Sequence, residues 1–246
     1  MQNLPRIYLN ENLAVGKTFP LPPDQGHYLS HVMRADKFLA FNNGKEFLAE
    51  LRQETNKKTI LYSLSVIQLT DHSDPSNHIT LAFAPVKQAR LEEMLNMATQ
   101  LGVMALQPVI TDRTIAAHIN WERIKKITTE AAEQSGRNSI PEILPPVKFA
   151  EFLKVCSLQS AECSLIFADE RFAHDNSKNH NNCTLHSANC TLFIGPEGGF
   201  SPAEFAALDA AYAVGISLGK TILRAETAAA VAIATMTQLQ NDKITK

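Results

Sequence analysis

Apolar and polar residues alternate along Thr59 to Leu69, with Ile60, Tyr62, Leu64 and Val66 on one face and Leu61, Ser63, Ser65 and Ile67 on the other. That period of two predicts a strand with one face buried. Ahead of it, Phe38-Leu-Ala-Phe41 and Glu46-Phe-Leu-Ala-Glu-Leu51 flank Asn42-Asn43-Gly44, and Asn-Gly supplies the positive φ angles that a tight hairpin needs. His27 to Arg34 reads as one short helix. Short strands with a single small helix predict a compact barrel-like module over residues 1–70. The stretch Thr70-Asp-His-Ser-Asp-Pro-Ser-Asn77 is polar and holds a proline, so residues 71–77 read as a linker.

The period then changes. Ile79 to Ala84 predicts a buried strand, and Leu91, Met94, Leu95, Ala98 and Leu101 recur at helical spacing. Val103 to Ile110 reads as a strand, Trp121 to Ser135 and Phe149 to Cys156 as helices, and Ser164 to Ala168 and Thr191 to Gly195 as short buried strands. Ser201-Pro202-Ala203-Glu204 marks a helix start, with Ser as N-cap, Pro at the first helical position and Glu closing a capping box. Gly215 to Leu218 predicts a last strand and Ala225 to Leu239 an Ala-rich helix. Strands alternating with helices predict an α/β domain over residues 78–246, its parallel sheet covered on both faces.

Composition narrows the function classes. With 246 residues, 45% hydrophobic and 20% charged, the chain is that of an ordinary globular protein rather than a disordered one. The 23 basic and 25 acidic side chains leave a net charge of −2, which excludes a protein that coats nucleic acid over its whole surface. The balance is uneven, however: residues 1–70 carry eight basic against six acidic groups, +2, and the remainder carries −4. Four cysteines are too sparse for a disulfide scaffold, the first residues have neither the basic nor the apolar part of a secretory signal, and the apolar run Ala228 to Met236 is about half of a membrane span. A cytoplasmic protein with reduced thiols and no membrane partner is expected.

Two segments carry candidate chemistry. In Leu192-Phe-Ile-Gly195-Pro196-Glu197-Gly198-Gly199-Phe200-Ser201 a buried strand runs into three glycines and a capped helix, at the strand end where open α/β sheets bind ligands. In Ile216-Ser-Leu-Gly219-Lys220-Thr221-Ile-Leu-Arg224-Ala-Glu226-Thr227-Ala228 a second strand ends in a Gly turn, and the next helix opens on Arg224, where the positive end of the helix dipole favours acids. Two such loops could hold a nucleoside-containing ligand between them. Gly219-Lys220-Thr221 fits a phosphate loop poorly, because Gly215 to Gly219 encloses three residues instead of four and Ile222 and Leu223 intervene before the helix. No Gly-x-Gly-x-x-Gly or His-Glu-x-x-His occurs. His174, His180, Cys183, His186 and Cys190 lack paired Cys-x₂-Cys spacing in an Asn/Ser-rich stretch, so a loop and no metal is expected there. The polar cluster Thr129 to Arg137, taken alone, reads as a solvated face.

In order and spacing these segments resemble the RsmE family of bacterial 16S rRNA (uracil-N3)-methyltransferases, of the SPOUT superfamily. The resemblance runs through Arg6-Ile-Tyr, His27-Tyr-Leu to Met33-Arg34, Leu101-Gly102-Val103, Glu133-Gln134-Ser-Gly-Arg137, Ile194-Gly-Pro-Glu-Gly-Gly199 and Leu218-Gly to Ile222-Leu-Arg-Ala-Glu-Thr-Ala228. It implies a PUA-like RNA-binding barrel followed by a SPOUT domain threaded into a trefoil knot, working as a homodimer on the small ribosomal subunit's 16S rRNA. It also implies S-adenosylmethionine as methyl donor, held by Phe167 or its neighbours, Ile194, Gly195, Gly198, Gly199, Leu218, Gly219, Leu223 and Ala225. In that chemistry Arg224 would stabilise the uracil anion, Glu197 and Glu226 would accept a proton or orient the base, and Gln134 would read the uracil. Arg6, Arg34, Lys87, Arg113 and Arg137 are the expected phosphate contacts. One position departs from the pattern: the family commonly has Glu before Leu-Gly-Val, and this chain has Gln100. The alternatives are a SPOUT ribose 2′-O-methyltransferase, a non-catalytic rRNA-binding or ribosome-assembly factor, and a P-loop NTPase whose nucleotide binding would need Lys220.

Overall fold

The computed structural model describes residues 4–56, 59–74, 77–115, 119–158, 163–171 and 189–244. The chain forms two units, one of residues 1–75 with 132–140, the other of residues 76–131 with 141–246. The first unit therefore takes in a segment that lies far along the sequence.

The first unit holds β1 (Arg6–Tyr8), β2 (Thr18–Leu21), α1 (Pro23–His27), β3 (Lys37–Asn42), β4 (Lys45–Asn56) and β5 (Thr59–Leu69). They form a five-stranded sheet in the order β1-β3-β4-β5-β2, antiparallel except where β1 runs parallel to β3. Asn43 and Gly44 adopt φ of 51° and 74°, the paired positive values of a type I′ hairpin turn. Tyr62, Leu64 and Val66 are buried with Phe38, Ala40, Phe47, Ala49 and Leu29 in one core, while Leu61 and Ile67 face out. The expected helix over His27–Arg34 differs: the helix starts earlier, at Pro23, and passes into a single π-helical turn over Tyr28–Val32. Pro23 at the first helical position fixes that earlier start.

Arg6 ties residues 132–140 to this sheet. Its guanidinium donates to Glu46 Oε2 at 2.8 Å, to the carbonyls of Ala132 and Glu133 at 3.2 Å, and to the Arg137 carbonyl and Asn138 Oδ1 at 2.9 and 2.8 Å. All five N–H groups are used. The Tyr8 amide donates to Glu133 Oε1, the Gly44 amide to the Asn138 carbonyl, and His72 Nε2 to the Gly136 carbonyl. The cluster read as a solvated face is thus partly drawn inside: Arg137 is buried and Glu133 half-buried, while Glu130 and Gln134 stay exposed. Arg137 is 1% exposed, and burial pushes its guanidinium below the usual range against the opposing charge of Asp74.

The second unit holds β6 (Ile79–Phe83), α2 (Gln88–Gln100), β7 (Ala105–Ile110), α3 (Trp121–Ser135, its last turn counted with the first unit), β8 (Glu142–Ile143), β9 (Val147–Lys148), α4 (Phe149–Leu158), β10 (Cys163–Ala168), β11 (Asn189–Ile194), α5 (Pro202–Ala210), β12 (Val214–Ile216) and α6 (Ala225–Ile244). The sheet runs β12-β10-β11-β6-β7-β8, with β9 also on β7, and every pair is parallel. Alternation along the strands feeds two cores. Leu81, Phe83, Leu192 and Ile194 pack with Leu91, Leu95, Ala232 and Ile233 of α2 and α6. Ala82, Phe167 and Phe193 pack with Phe152, Leu153 and Leu208 of α4 and α5. Among the described residues no helix is long and apolar enough to cross a membrane.

Candidate functional site

The carboxyl ends of β10, β11 and β12 lie side by side, and the loops that leave them enclose a cavity of about 290 Å³. Ala168, Asp169 and Glu170 line it from β10, Ile194 to Glu197 with Gly199 and Phe200 from β11, and Ile216 to Gly219 with Thr221 to Ala225 from β12. Both glycine segments singled out in the sequence therefore meet at one place, between strands that adjoin the β11–β6 junction where strand order reverses.

The loop after β11 is fixed by its neighbours. The Gly199 amide donates to the Pro196 carbonyl at 2.9 Å, and Gly199 holds φ +69°. A Cβ on Gly195 would lie 2.9 Å from the Phe200 ring, so the strand must end on a residue without one. Beyond it, Ser201 caps α5: its Oγ accepts from the Glu204 amide at 3.2 Å while Glu204 Oε2 accepts from the Ser201 amide at 2.8 Å. Glu204 Oε1 also accepts from the Asp112 amide, Ser201 Oγ donates to Asp112 Oδ2, and Arg113 Nη1 donates to the Gly198 carbonyl at 2.8 Å. The turn after β7 thus clamps the glycine loop from outside.

Of the residues expected to hold a cofactor, Ile194, Gly195, Gly199, Leu218, Gly219, Leu223 and Ala225 line the cavity. Phe167 and Gly198 do not. Phe167 is buried in the core edge-to-face with Phe200, because strand alternation turns it away, and its neighbours Ala168 to Glu170 take the cavity side. Gly198 turns outward under the Arg113 side chain.

Arg224 and Glu197 line the cavity as well. The Arg224 carbonyl accepts the first helical hydrogen bond of α6, from the Ala228 amide at 2.8 Å, which sets its side chain beside the positive end of that helix. Glu226, two residues on, is 6% exposed, and its Oε2 has no hydrogen-bond partner among the described residues. It is not a cavity-lining residue. Gln134 is exposed near the end of α3 and belongs to the segment grouped with the first unit. Gln100 is exposed at the end of α2 and donates to Asn96, away from the cavity.

The expected phosphate contacts divide. Arg34, Lys87 and Arg113 are exposed. Arg6 and Arg137 are not available: every donor of Arg6 is spent on the 132–140 segment and Glu46, and Arg137 is buried. These two are corrected to structural residues. Residues His174 to His186 of the Cys/His stretch lie outside the described residues; Cys190, inside β11, is buried in the core.

Three charged cavity residues were not singled out in the sequence. Arg90, in the first turn of α2, forms an ion pair with Glu197. Asp169, buried, takes a bidentate pair from Arg171, which raises the arginine's pKa through those hydrogen bonds and their charge. Glu170 follows it. Arg90 stands over a hundred positions before Glu197 and no local spacing announces it, whereas Asp169 and Glu170 could have been found as polar residues at a strand's carboxyl end.

Residues 72–237 match the model of a family described as an RNA methyltransferase domain. The chain is 35% identical over 236 residues to the ribosomal RNA small subunit methyltransferase E of Rickettsia conorii, covering 93% of each. It is 30% identical over 240 residues to that of Synechocystis, covering 95% of this chain and 77% of the relative. Among solved structures, the ribosomal RNA small subunit methyltransferase E of Neisseria gonorrhoeae bound to S-adenosyl methionine superposes with a TM-score of 0.80 at 32% identity, covering 96% of this chain and 98% of the other.

Proposed function

Because the chain belongs to the ribosomal RNA small subunit methyltransferase E family, we propose that it transfers a methyl group from S-adenosylmethionine to N3 of one uridine near the 3′ end of 16S rRNA, in the decoding region. The residues present fit such a donor. The apolar walls of Ile194, Ile216, Leu218 and Leu223 suit a purine, and the loops at Gly195, Gly199 and Gly219 bring backbone groups close to it. When bound, the sulfonium supplies the electrophilic methyl group.

The chain's own task is to present a uracil in line and stabilise the charge that appears on it. The N3–H proton must leave as the N3–C bond forms and the S–C bond breaks, and in between negative charge spreads onto O2 and O4. The observation that carries the reading is Arg224, which lines the cavity beside a helix end that disfavours cations and, among the described residues, makes no ion pair. A position so unfavourable for resting stability suits a group meant for an anion that forms only during reaction. Of the two carboxylates expected to take the proton, Glu197 lines the cavity, paired with Arg90, and is the better placed, whereas Glu226 is buried outside the lining. Exposed Arg34, Lys87 and Arg113 would position rRNA through its phosphates. Trefoil threading and a homodimer belong to the same proposal.

Incubation of the protein with S-adenosylmethionine and small subunits lacking the modification, followed by nucleoside mass spectrometry, tests it. The expected product is 3-methyluridine. A 2′-O-methylated nucleoside, or no methylated nucleoside, would contradict it.

A further inference from the structure

The charges around the cavity do not all cancel. Arg90 is paired with Glu197 and Asp169 with Arg171, which leaves Glu170 and Arg224. Neither side chain makes an ion pair or hydrogen bond with another described residue. Arg224 has a part in the chemistry proposed above, and Glu170 has been given none.

Its place is specific. Glu170 follows the buried Asp169 at the exit of β10, and Asp169 anchors Arg171 in turn, its carboxylate accepting at 2.6 Å while the guanidinium lies 4.0 Å above the Phe205 ring. The flanking residues are thus both committed, one inward and one along α5. The Glu170 carboxylate lies directly against Gly199, so that a Cβ on that glycine would collide with it. Gly199, at φ +69°, thereby serves both the turn and the close approach of an acid to the cavity wall. An acid that no described residue pairs, placed in a ligand cavity, is suited to a cation on the ligand.

Resting on the reading that this cavity takes S-adenosylmethionine, we propose that Glu170 is a specificity-determining residue that selects the donor by charge, facing a cationic centre on its methionine half. That half offers two such centres, the sulfonium and the α-ammonium. If the carboxylate faces the sulfonium, methyl transfer removes the attraction, because the product S-adenosylhomocysteine has a neutral thioether, and product release is favoured. If it faces the ammonium, donor and product are held alike.

Calorimetric titration of wild type, Glu170→Gln and Glu170→Asp with S-adenosylmethionine and S-adenosylhomocysteine tests the proposal. Glu170→Gln is expected to weaken donor binding about tenfold or more, with partial recovery in Glu170→Asp, and raising salt should weaken binding to wild type and Glu170→Asp more than to Glu170→Gln. Product affinity unchanged in Glu170→Gln identifies the sulfonium as the partner; product affinity lowered equally identifies the ammonium. Donor affinity in Glu170→Gln within twofold of wild type would overturn the inference while leaving the donor reading intact. A wild-type protein that binds neither ligand would overturn both. Because Glu170 is exposed, unchanged thermal unfolding of the unliganded variant checks that binding, not folding, was altered.

Discussion

On the proposed reading, Arg224 shows what the cavity trades for chemistry. The N-terminal end of α6 would be better served by Ser, Thr, Asp or Asn, and an arginine there forgoes a cap and faces the helix dipole, at about 0.3–1 kcal/mol for the dipole alone. Arg224→Ala should therefore leave folding intact and S-adenosylmethionine affinity within about threefold. Turnover should fall roughly 100-fold or more, the loss typical of removing one donor from a charge-stabilising site. Measuring binding and single-turnover methylation side by side checks this; a variant that loses both in parallel would place Arg224 in donor binding instead. At this scale the sequence was informative wherever chemistry sat in a local motif. Gly195, Gly199, Leu218 and Arg224 stand beside strand ends whose patterns predict a loop, and they do line one cavity. Phe167 and Gly198 went the other way because a one-residue step along a strand or turn reverses the side-chain direction. Arg90 was invisible for a different reason: its partner Glu197 is brought to it only by the fold.

Elements were legible where periodicity was strong. The parallel sheet and its covering helices follow from strands apolar on both faces, as Leu192 and Phe193 illustrate by entering different cores. The segment 132–140 was not legible, because Glu133, Gln134, Ser135 and Arg137 have the composition of a solvated helix end, and it takes Arg6, more than a hundred residues earlier, to tie the segment to the sheet. The Arg6 guanidinium serves the last carbonyls of α3 while Glu46 balances its charge, and Thr70 Oγ1 donates to the other Glu46 oxygen at 2.9 Å. Arg6→Ala leaves the Glu46 carboxylate, 5% exposed, without its cation. Losses of about 3–5 kcal/mol accompany such a break in a buried pair. Denaturant unfolding should show a loss near the lower end of that range, with Arg6→Lys recovering only part, since an ammonium cannot reproduce the five-donor fork. If Arg6→Ala unfolds like wild type but loses RNA affinity, Arg6 is a phosphate contact after all.

For the molecule as a whole, near-neutral charge limits how rRNA can be held. The first seventy residues carry +2 and the rest −4, and with Arg6 and Arg137 committed inside, the exposed candidates are Arg34, Lys87 and Arg113. Three neutralised phosphates imply a slope of roughly −2 to −3 in log affinity against log salt, from about 0.7–0.9 per phosphate. Filter binding of 16S rRNA across a salt series reads that slope, and a value near zero would exclude phosphate-based docking. Recognition must then come from a few positioned contacts, which fits modification of a single nucleotide. The most direct test of that claim is primer extension by reverse transcriptase on 16S rRNA from cells with and without this protein. An N3 methyl blocks Watson–Crick pairing, so a stop at one uridine near the 3′ end should be present with the protein and absent without it. A stop that persists in its absence, or no stop in either case, would contradict the account.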